Sequence, residues 1–391
     1  MQDWNKYKLV ELATLQRGFD LPNTKRIEGK HPVMAASGFS TWHNEFKVKG
    51  PGVITGRSGT LGQVHFVNQD FWPLNTTLWV KDFHANDEKF IYYLLKTLSL
   101  EDYNTGTSVP TLNRNDVHRL EIHVPEYKEQ KSISSILSTL DDKIVLNLQM
   151  NKTLEEMAMA LYKHWLVDFG PFQNGKFVES ELGMIPEGWE VKSILEIVDL
   201  LSGGTPKTIV QEYWNGDINW VSAKDIGNGG LIYINETEKT ITQAGVNNSS
   251  TKILPEDTVI LVARGSVGKY GMIAKPMAMN QSCYGLFTKG DFSQGLVYLM
   301  FSRLIEQFKR VAYGSVFDTI TTSTFITTNV IIPPKEVVNN LKDLIDPIFI
   351  QLKQNTLENQ TLTTLRDTLL PKLISGEVRV KDIEQMVAAA L

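Results

Sequence analysis

Residues 133–165 read ISSILSTLDDKIVLNLQMNKTLEEMAMALYKHW, and residues 341–373 read LKDLIDPIFIQLKQNTLENQTLTTLRDTLLPKL. In the first stretch Ile133, Leu137, Leu140, Ile144, Asn147, Asn151, Leu154, Leu161 and Trp165 stand at steps of four and three, with one step of seven. Leu341, Ile345, Ile348, Leu352, Asn355, Asn359, Leu362, Leu369 and Leu373 follow 208 positions later. Every apolar position returns apolar, and both asparagines return as asparagines. Such spacing is the seam of a coiled coil. A chain that carries the seam twice has two equivalent helical arms, and whatever lies between them is expected to be duplicated as well.

The duplication does extend outward. Trp4, Leu9, Leu12, Leu15 and Gly18 match Trp189, Ile194, Ile197, Leu200 and Gly203 at an offset of 185. Val53-Ile54-Thr55 with Gly59-Thr60-Leu61-Gly62 matches Val259-Ile260-Leu261 with Gly265-Ser266-Val267-Gly268 at 206. Gly106-Thr107-Ser108 through Pro125 matches Gly314-Ser315-Val316 through Pro333 at 208. The offset jumps once, by about 21 residues, so the second copy carries an insertion between Gly203 and Val259.

These correspondences divide the chain into a first globular domain (1–125), a long helix and linker (126–185), a second globular domain (186–333), and a second long helix with its tail (334–391). Each globe is expected to open with a short amphipathic helix (5–15 and 190–201). β-branched runs bounded by turn residues follow at Val53–Thr55, Gln63–Val67, Leu78–Val80 and Leu120–Val124, and at Val259–Ala263, Gly271–Ala274 and Asn329–Ile332. One helix interrupts them in each copy, near 88–100 and 294–310. The class is α+β: two globes separated by two long helices packed as an antiparallel coiled coil, with internal pseudo-twofold duplication. A helix over 130–165 is about 50 Å long. Asp168–Pro186 reads as a linker. In the seam, Leu140 and Ile348 supply packing, while Asn147, Asn151, Asn355 and Asn359 set the register, because a buried amide penalises misaligned pairings.

Composition narrows the function. A chain of 391 residues with 42% hydrophobic and 21% charged residues is of ordinary globular type. The single cysteine, Cys283, excludes a disulfide framework and a cysteine-based zinc site. The terminus MQDWNKYKLVELA does not read as a signal peptide, no apolar run is long enough for a membrane span, and residence in the cytoplasm is expected. Net charge is −5, with 14 basic against 13 acidic residues in 1–125 and 12 against 14 in 186–333. A protein holding DNA by phosphate neutralisation needs basic surface, and this chain as a whole is not basic; if it binds DNA, charge must be sorted onto one face or supplied by a partner.

Catalytic motifs are missing. The one Pro-Pro, in Ile332-Pro333-Pro334-Lys335, lacks the polar and aromatic neighbours of an amino-methyltransferase loop. Val267-Gly268-Lys269-Tyr270 is not a Walker motif. Pro125-Glu126-Tyr127-Lys128 and Pro255-Glu256-Asp257 are incomplete as nuclease sites, and the first suits a helix N-terminus. The seven histidines show no ligand spacing. No metal and no cofactor are expected in this chain.

Two Gly-rich elements follow strands: Gly56 to Gly62, with Arg57, Ser58 and Thr60, and Ala263 to Tyr270, with Arg264, Ser266, Lys269 and Tyr270. Either they are hairpin turns whose glycines take positive φ, or their amides and cations contact phosphates. The insertion holds Gly203-Gly204-Thr205-Pro206-Lys207 and Tyr213 through Asp225, in which Lys207 and Lys224 are candidate DNA contacts and Trp214 and Trp220 read as core.

At this point the chain resembles the specificity subunits of type I restriction–modification systems. The resemblance rests on Leu182 through Ile185-Pro186-Glu187-Gly188-Trp189, Ser202-Gly203-Gly204-Thr205-Pro206, Trp220-Val221-Ser222-Ala223-Lys224-Asp225 and Leu370-Pro371-Lys372-Leu373-Ile374-Ser375-Gly376-Glu377-Val378. It implies a non-catalytic reader of double-stranded DNA, with one target recognition domain for each half of a bipartite site. It also implies helices that space the two halves and dock two methyltransferase subunits, with S-adenosylmethionine bound on those partners and restriction–translocase subunits joining the full complex. Two other readings stand beside it: a stand-alone methyltransferase or nuclease with fused recognition domains, and a coiled-coil scaffold with no role on DNA.

Overall fold

The structure, a computed structural model, describes residues 4–106, 108–227, 231–313 and 319–382. The expected match through Gly314-Ser315-Val316 lies outside the described residues. The chain divides into two compact units, Met1–Ile144 with Thr361–Leu391, and Val145–Gln360.

The first unit begins with β1 (Asn5–Lys8), a single helical turn α1 (Leu9–Leu12) and β2 (Thr14–Arg17). This corrects the expected helix over 5–15. Leu9 and Leu12 share one turn, but on either side the backbone joins sheets, Asn5 opposite Val124 in β9 (Glu121–Val124) and Leu15 opposite Val80. Long-range pairing overrides a local helical spacing here. Then follow β3 (His31–Ala35), β4 (Gly38–His43), β5 (Gly52–Gly56), β6 (Val64–Val67), β7 (Trp72–Pro73) and β8 (Thr77–Asp82). They form one sheet ordered β2-β8-β5-β6 and a smaller one ordered β4-β3-β7. α2 (Glu88–Lys96), capped by Asp87, is shorter than expected, and α3 (Arg114–His118) precedes β9.

Alternation along β5 explains the layering. Val53 joins the cluster of Leu15, Leu78, Phe90, Leu94, Leu137 and Leu373, whereas Ile54 joins Met34, Val48, Val67 and Phe71. The four-stranded sheet is therefore buried on both faces, helices on one side and the three-stranded sheet on the other. The long helix α4 (Tyr127–Leu166) starts just after Pro125, as expected, and runs 40 residues.

The second unit repeats this plan. Its strands begin with β10 (Phe177–Ser180) and β11 (Gly183–Pro186), a hairpin inside the segment expected to be a plain linker. Ile185 and Trp189 are buried there, with Phe169 and Phe172 edge-on to the Trp189 ring at 5.3 and 5.2 Å. β12 (Glu190–Ser193), a 3-10 turn at Ile194–Glu196 and β13 (Val198–Ser202) replace the expected helix over 190–201, for the same reason as in the first copy. β14 (Trp214–Val221), β15 (Tyr233–Ile234), β16 (Thr240–Ile241) and α5 (Gln243–Asn247) come next, then β17 (Val259–Val262), β18 (Tyr270–Ile273), β19 (Ala278–Met279) and β20 (Cys283–Thr288). α6 (Gln294–Tyr313), α7 (Thr322–Ile326), β21 (Asn329–Ile332) and the 41-residue α8 (Lys335–Ser375) complete it.

Here the sheets are ordered β13-β20-β17-β18-β15 and β16-β14-β19. The first four strands reproduce β2-β8-β5-β6, and the fifth, β15, comes from the insertion and pairs parallel with β18. Val259 and Leu261 face the helices, while Ile260 and Val262 face the outer layer. This is a two-domain α+β architecture with internal duplication.

In the second unit the long helices run antiparallel. Asn147 donates to Asn359 Oδ1 at 2.9 Å and to Glu358 Oε2 at 2.7 Å, and Asn355 donates to Asn151 Oδ1 at 2.8 Å. As numbers rise on α4 they fall on α8. Ile348 is 9% exposed in the same core. In the first unit Arg366 pairs with Asp141 at 2.7 Å, which also accepts from the Tyr93 hydroxyl at 2.7 Å. The remaining seam position, Leu140, is only half-buried there.

Candidate nucleic-acid interface

Both Gly-rich elements connect adjacent antiparallel strands, β5 to β6 and β17 to β18. Gly59 and Gly62 have φ of +92° and +80°, and their counterparts Gly265 and Gly268 have +82° and +86°. The paired glycines thus serve the same left-handed backbone in both copies. Beyond that the loops differ. In the first, the Arg57 and Ser58 amides donate to Thr76 O at 2.8 and 3.1 Å, and the Gly59 amide to Pro110 O at 3.0 Å. Those N–H groups are already committed and do not form an open anion cradle. Arg57 Nε donates to Asn75 O at 2.8 Å, and burial, then the nearby Arg17, push its pKa down. Ser58 and Thr60 are half-buried.

In the second loop Arg264, Ser266 and Lys269 are exposed, with Lys269 Nζ 3.5 Å from Ala223 O. Tyr270 turns inward. Its ring lies 5.2 Å from that of Tyr298, and burial, then the Glu155 charge, raise its hydroxyl pKa. It packs the helical side of the domain rather than extending the loop surface.

Lys207 is exposed on the segment leading into β14, and Lys224 pairs with Glu238 at 3.3 Å. Trp220 is buried, its Nε1 donating to Gly204 O at 3.0 Å. Trp214 meets it edge-on at 5.2 Å and opens onto a shallow cleft of about 230 Å³ lined by Thr208, Gln211, Asn215 and Lys239. Lys239 Nζ lies 5.8 Å from the Trp214 ring centroid, and Ile209 beside it is 86% exposed.

The first domain also carries an exposed aromatic pair on its edge strand β4. Pairing of β3 with β4 slips between Val33–Thr41 and Met34–Phe39, so one extra residue bulges at Ser40. A bulge inverts the alternation beyond it. Phe39 and Trp42, which strict alternation would send to opposite faces, therefore stack at 5.1 Å and remain 54% and 45% exposed. Arg26 Nη1 donates to Ser40 Oγ at 3.3 Å, next to the pair. Lys25, Lys30, Lys47 and Lys49 are exposed in the same domain, and Lys47 Nζ lies 4.7 Å from the ring of Trp72, which pairs with Val33 on the opposite face of the sheet. The spacing Phe39-x-x-Trp42 is plain in the sequence, but only the bulge brings the two rings to one face, and only the edge position of β4 leaves them exposed.

Gly18 and Gly203 hold the outer sheet to the central one in both copies. A Cβ on Gly18 would lie 2.2 Å from Leu74 O, and one on Gly203 would lie 1.9 Å from Asn280 O. Among the described residues, no group of three or more His, Cys, Asp or Glu is placed to hold a metal ion, and no helix is long and apolar enough to cross a membrane.

Comparison with known proteins agrees with this architecture. The family model of the type I restriction modification DNA specificity domain matches residues 1–156 and 186–365, once for each copy. The HindI specificity subunit of Haemophilus influenzae is 26% identical, over 97% of this chain and 100% of that protein. The MjaIX specificity subunit of Methanocaldococcus jannaschii is 28% identical, over 80% of this chain and 74% of that protein. The crystal structure of a type I restriction–modification S subunit from M. genitalium shares the fold, with a TM-score of 0.66 at 19% identity over 95% of this chain and 96% of that one.

Proposed function

The chain belongs to the type I restriction–modification DNA specificity family, and on that premise we propose that it is the subunit through which such a complex reads a bipartite, asymmetric DNA target. The observation that carries the reading is the double family match laid on a duplicated three-layer domain whose two outer faces differ. One scaffold repeated with two surfaces suits recognition of two unlike half-sites. In such a complex the specificity subunit is not the catalyst. Methyl transfer to adenine belongs to methyltransferase subunits that bind S-adenosylmethionine, and cleavage to restriction–translocase subunits where they join.

Two methyltransferase subunits would dock on the long helices. Support comes from large apolar side chains left in solvent there: Val145, Leu146 and Met157 on α4 and Ile350 on α8 are 50–57% exposed. Exposed apolar residues along a helix mark a surface that a partner covers. The assembly would work on chromosomal DNA in the cytoplasm.

The test is a domain exchange in the assembled methyltransferase. Replacing residues 1–125 with another recognition domain should change one half of the methylated sequence, mapped genome-wide, and leave the other half as it was. If both halves change together, or methylation shows no sequence preference, the reading is wrong.

A further inference from the structure

One glycine is pinned in the same way in both copies, and it marks a segment that the repeat offsets do not reveal. His31 of β3 pairs with His43 of β4, and Ile218 of β14 pairs with Ile241 of β16. Just outside those pairs the Asn44 amide donates to Ile27 O at 3.0 Å, and the Thr242 amide donates to Tyr213 O at 3.0 Å. Between these fixed points run Glu28-Gly29-Lys30 in the first copy and Trp214-Asn215-Gly216-Asp217 in the second. A Cβ on Gly29 would lie 2.3 Å from Asn44 Cα, and one on Gly216 would lie 2.7 Å from Thr242 Cα. Each segment therefore lies flat against the facing backbone, at the same end of its outer sheet. Each is also held a second time where it begins. His43 Nδ1 accepts the Ile27 amide at 3.1 Å, and Thr242 Oγ1 donates to Glu212 O at 2.7 Å. Only the scaffold is shared. Glu28 and Lys30 are exposed and follow Ile27, which is 60% exposed. At the matching places the second copy exposes Asn215 and Asp217, next to the half-buried Trp214 and its cleft.

Resting on the DNA-reading function above, we infer that these two segments are where each domain reads base edges of its half-site: Glu28 and Lys30 in the first, Asn215 and Asp217 in the second. A backbone tied down at both ends presents its side chains at little further cost in ordering. The chemistry of the four side chains suits the major groove. The Asn215 amide can bond an adenine edge at two points, a carboxylate such as Glu28 or Asp217 can accept from the cytosine amino group, and Lys30 can donate to guanine. Duplex DNA is the occupant that fits. Two methyltransferase subunits are copies of one another and need like surfaces on the two domains. A matched backbone that carries unlike side chains in its two copies meets the opposite need, two unlike half-sites read by one scaffold.

The experiment uses the chain assembled with its methyltransferase subunits and a set of duplexes: the mapped target, and the same target with each specified base pair replaced in turn. Kd is measured for wild type, for E28A/K30A and for N215G/D217A. Glycine at 215 keeps the left-handed backbone that Asn215 adopts there, with φ of +60°. Wild type should prefer the correct base pair by roughly 5- to 150-fold at each position read by such a contact. E28A/K30A should bring that preference to within about twofold at one or more positions of the first domain's half-site and leave the other half as in wild type. N215G/D217A should do the same to the second half alone. Methylation mapped genome-wide should relax at the same positions. All four side chains are exposed, so both complexes should melt at the wild-type temperature. Wild-type discrimination at every position in both variants overturns the inference, as does equal relaxation of both halves by one variant. Loss of binding together with a lowered melting temperature gives the segments a structural role and overturns it too. If the wild-type complex prefers no sequence, the DNA-specificity reading itself fails, and this inference with it. Preference kept in wild type and unaltered in both variants sinks only the inference.

Discussion

The side-chain amide of Asn355 donates to the side-chain carbonyl of Asn151 at 2.8 Å, and both residues are buried, at 2% and 8% exposure. Gln351 in turn donates to Asn355 Oδ1 at 2.7 Å, and Asn151 Nδ2 reaches Leu352 O and Thr356 Oγ1 at 3.4 Å. The pair is one of two asparagine steps in the seam, beside Asn147 with Asn359, and its hydrogen bonds form only when these two positions face each other.

Removing one partner should therefore cost more than removing both. N355L leaves the Asn151 carbonyl buried without its donor and should lower stability by about 1–3 kcal/mol. The double variant N151L/N355L should recover most of that loss, because no unpaired amide remains. Thermal melts of the single and double variants decide the matter; a double variant less stable than N355L would mean that the pair contributes packing rather than register.

Gly18 and Gly203 should be equally intolerant of a side chain. In each case the atom in the way is a backbone carbonyl, which cannot rotate aside. G18A and G203A should each destabilise their own domain by roughly 2–5 kcal/mol. Limited proteolysis should show cleavage confined to residues 1–125 for the first and 186–333 for the second. Wild-type resistance in either would show that the outer sheet is not pressed on the central one as described.

Acid should weaken the first domain. His118 Nε2 accepts the Leu15 amide at 2.9 Å, and burial, then Arg114, hold its pKa below the ordinary 6.5. Burial, then Lys96, depress His65 in the same direction. The unfolded chain thus takes up protons near pH 6.5 while the folded domain resists them. Stability is complete above about 6.5 and declines as pH falls from there toward the lower folded values. H118Q keeps an acceptor that does not titrate, so melting temperature measured between pH 8 and 5 should fall less steeply than in wild type. An identical pH profile would show that His118 contributes nothing to the decline.

The end of α8 should depend on Gly376. Its φ is +74°, and a Cβ there would lie 3.1 Å from the Trp4 ring. Nearby, Arg379 makes two 2.7 Å bonds to Glu129. G376A should cost about 1–2 kcal/mol through left-handed strain and crowding. The readout is the exposure of Trp4, followed by fluorescence quenching in a variant whose other tryptophans are replaced by phenylalanine. Unchanged quenching and stability would remove Gly376 from the closure of that unit.

Much of this protein was legible without coordinates. The repeat at 208, the three-and-four seam with its asparagines and the strands at Val53–Thr55, Val259–Ala263 and Asn329–Ile332 are properties of neighbouring or periodically spaced residues, and linear order records them. So is the glycine pair of each loop, since positive φ is a local demand. The Leu9–Leu12–Leu15 spacing misled for the complementary reason. It specifies one helical turn, but whether the flanking backbone continues the helix or joins a sheet depends on strands more than sixty residues away, Thr77–Asp82 and Glu121–Val124.

Tertiary structure alone decided what the surfaces are. Sequence could name Arg57 and Tyr270 as contacts, but only packing shows that one is held by Asn75 and the other turned onto Tyr298. Phe39 and Trp42 carry no mark of exposure in the linear pattern; a single extra residue at the Ser40 bulge puts both on one face of an edge strand, where they stay exposed. Duplication and periodicity are written along the chain, and so it determined two copies and two arms by itself. Which side chains those copies show to solvent is set by pairing between distant segments, and that exists only once the chain has folded.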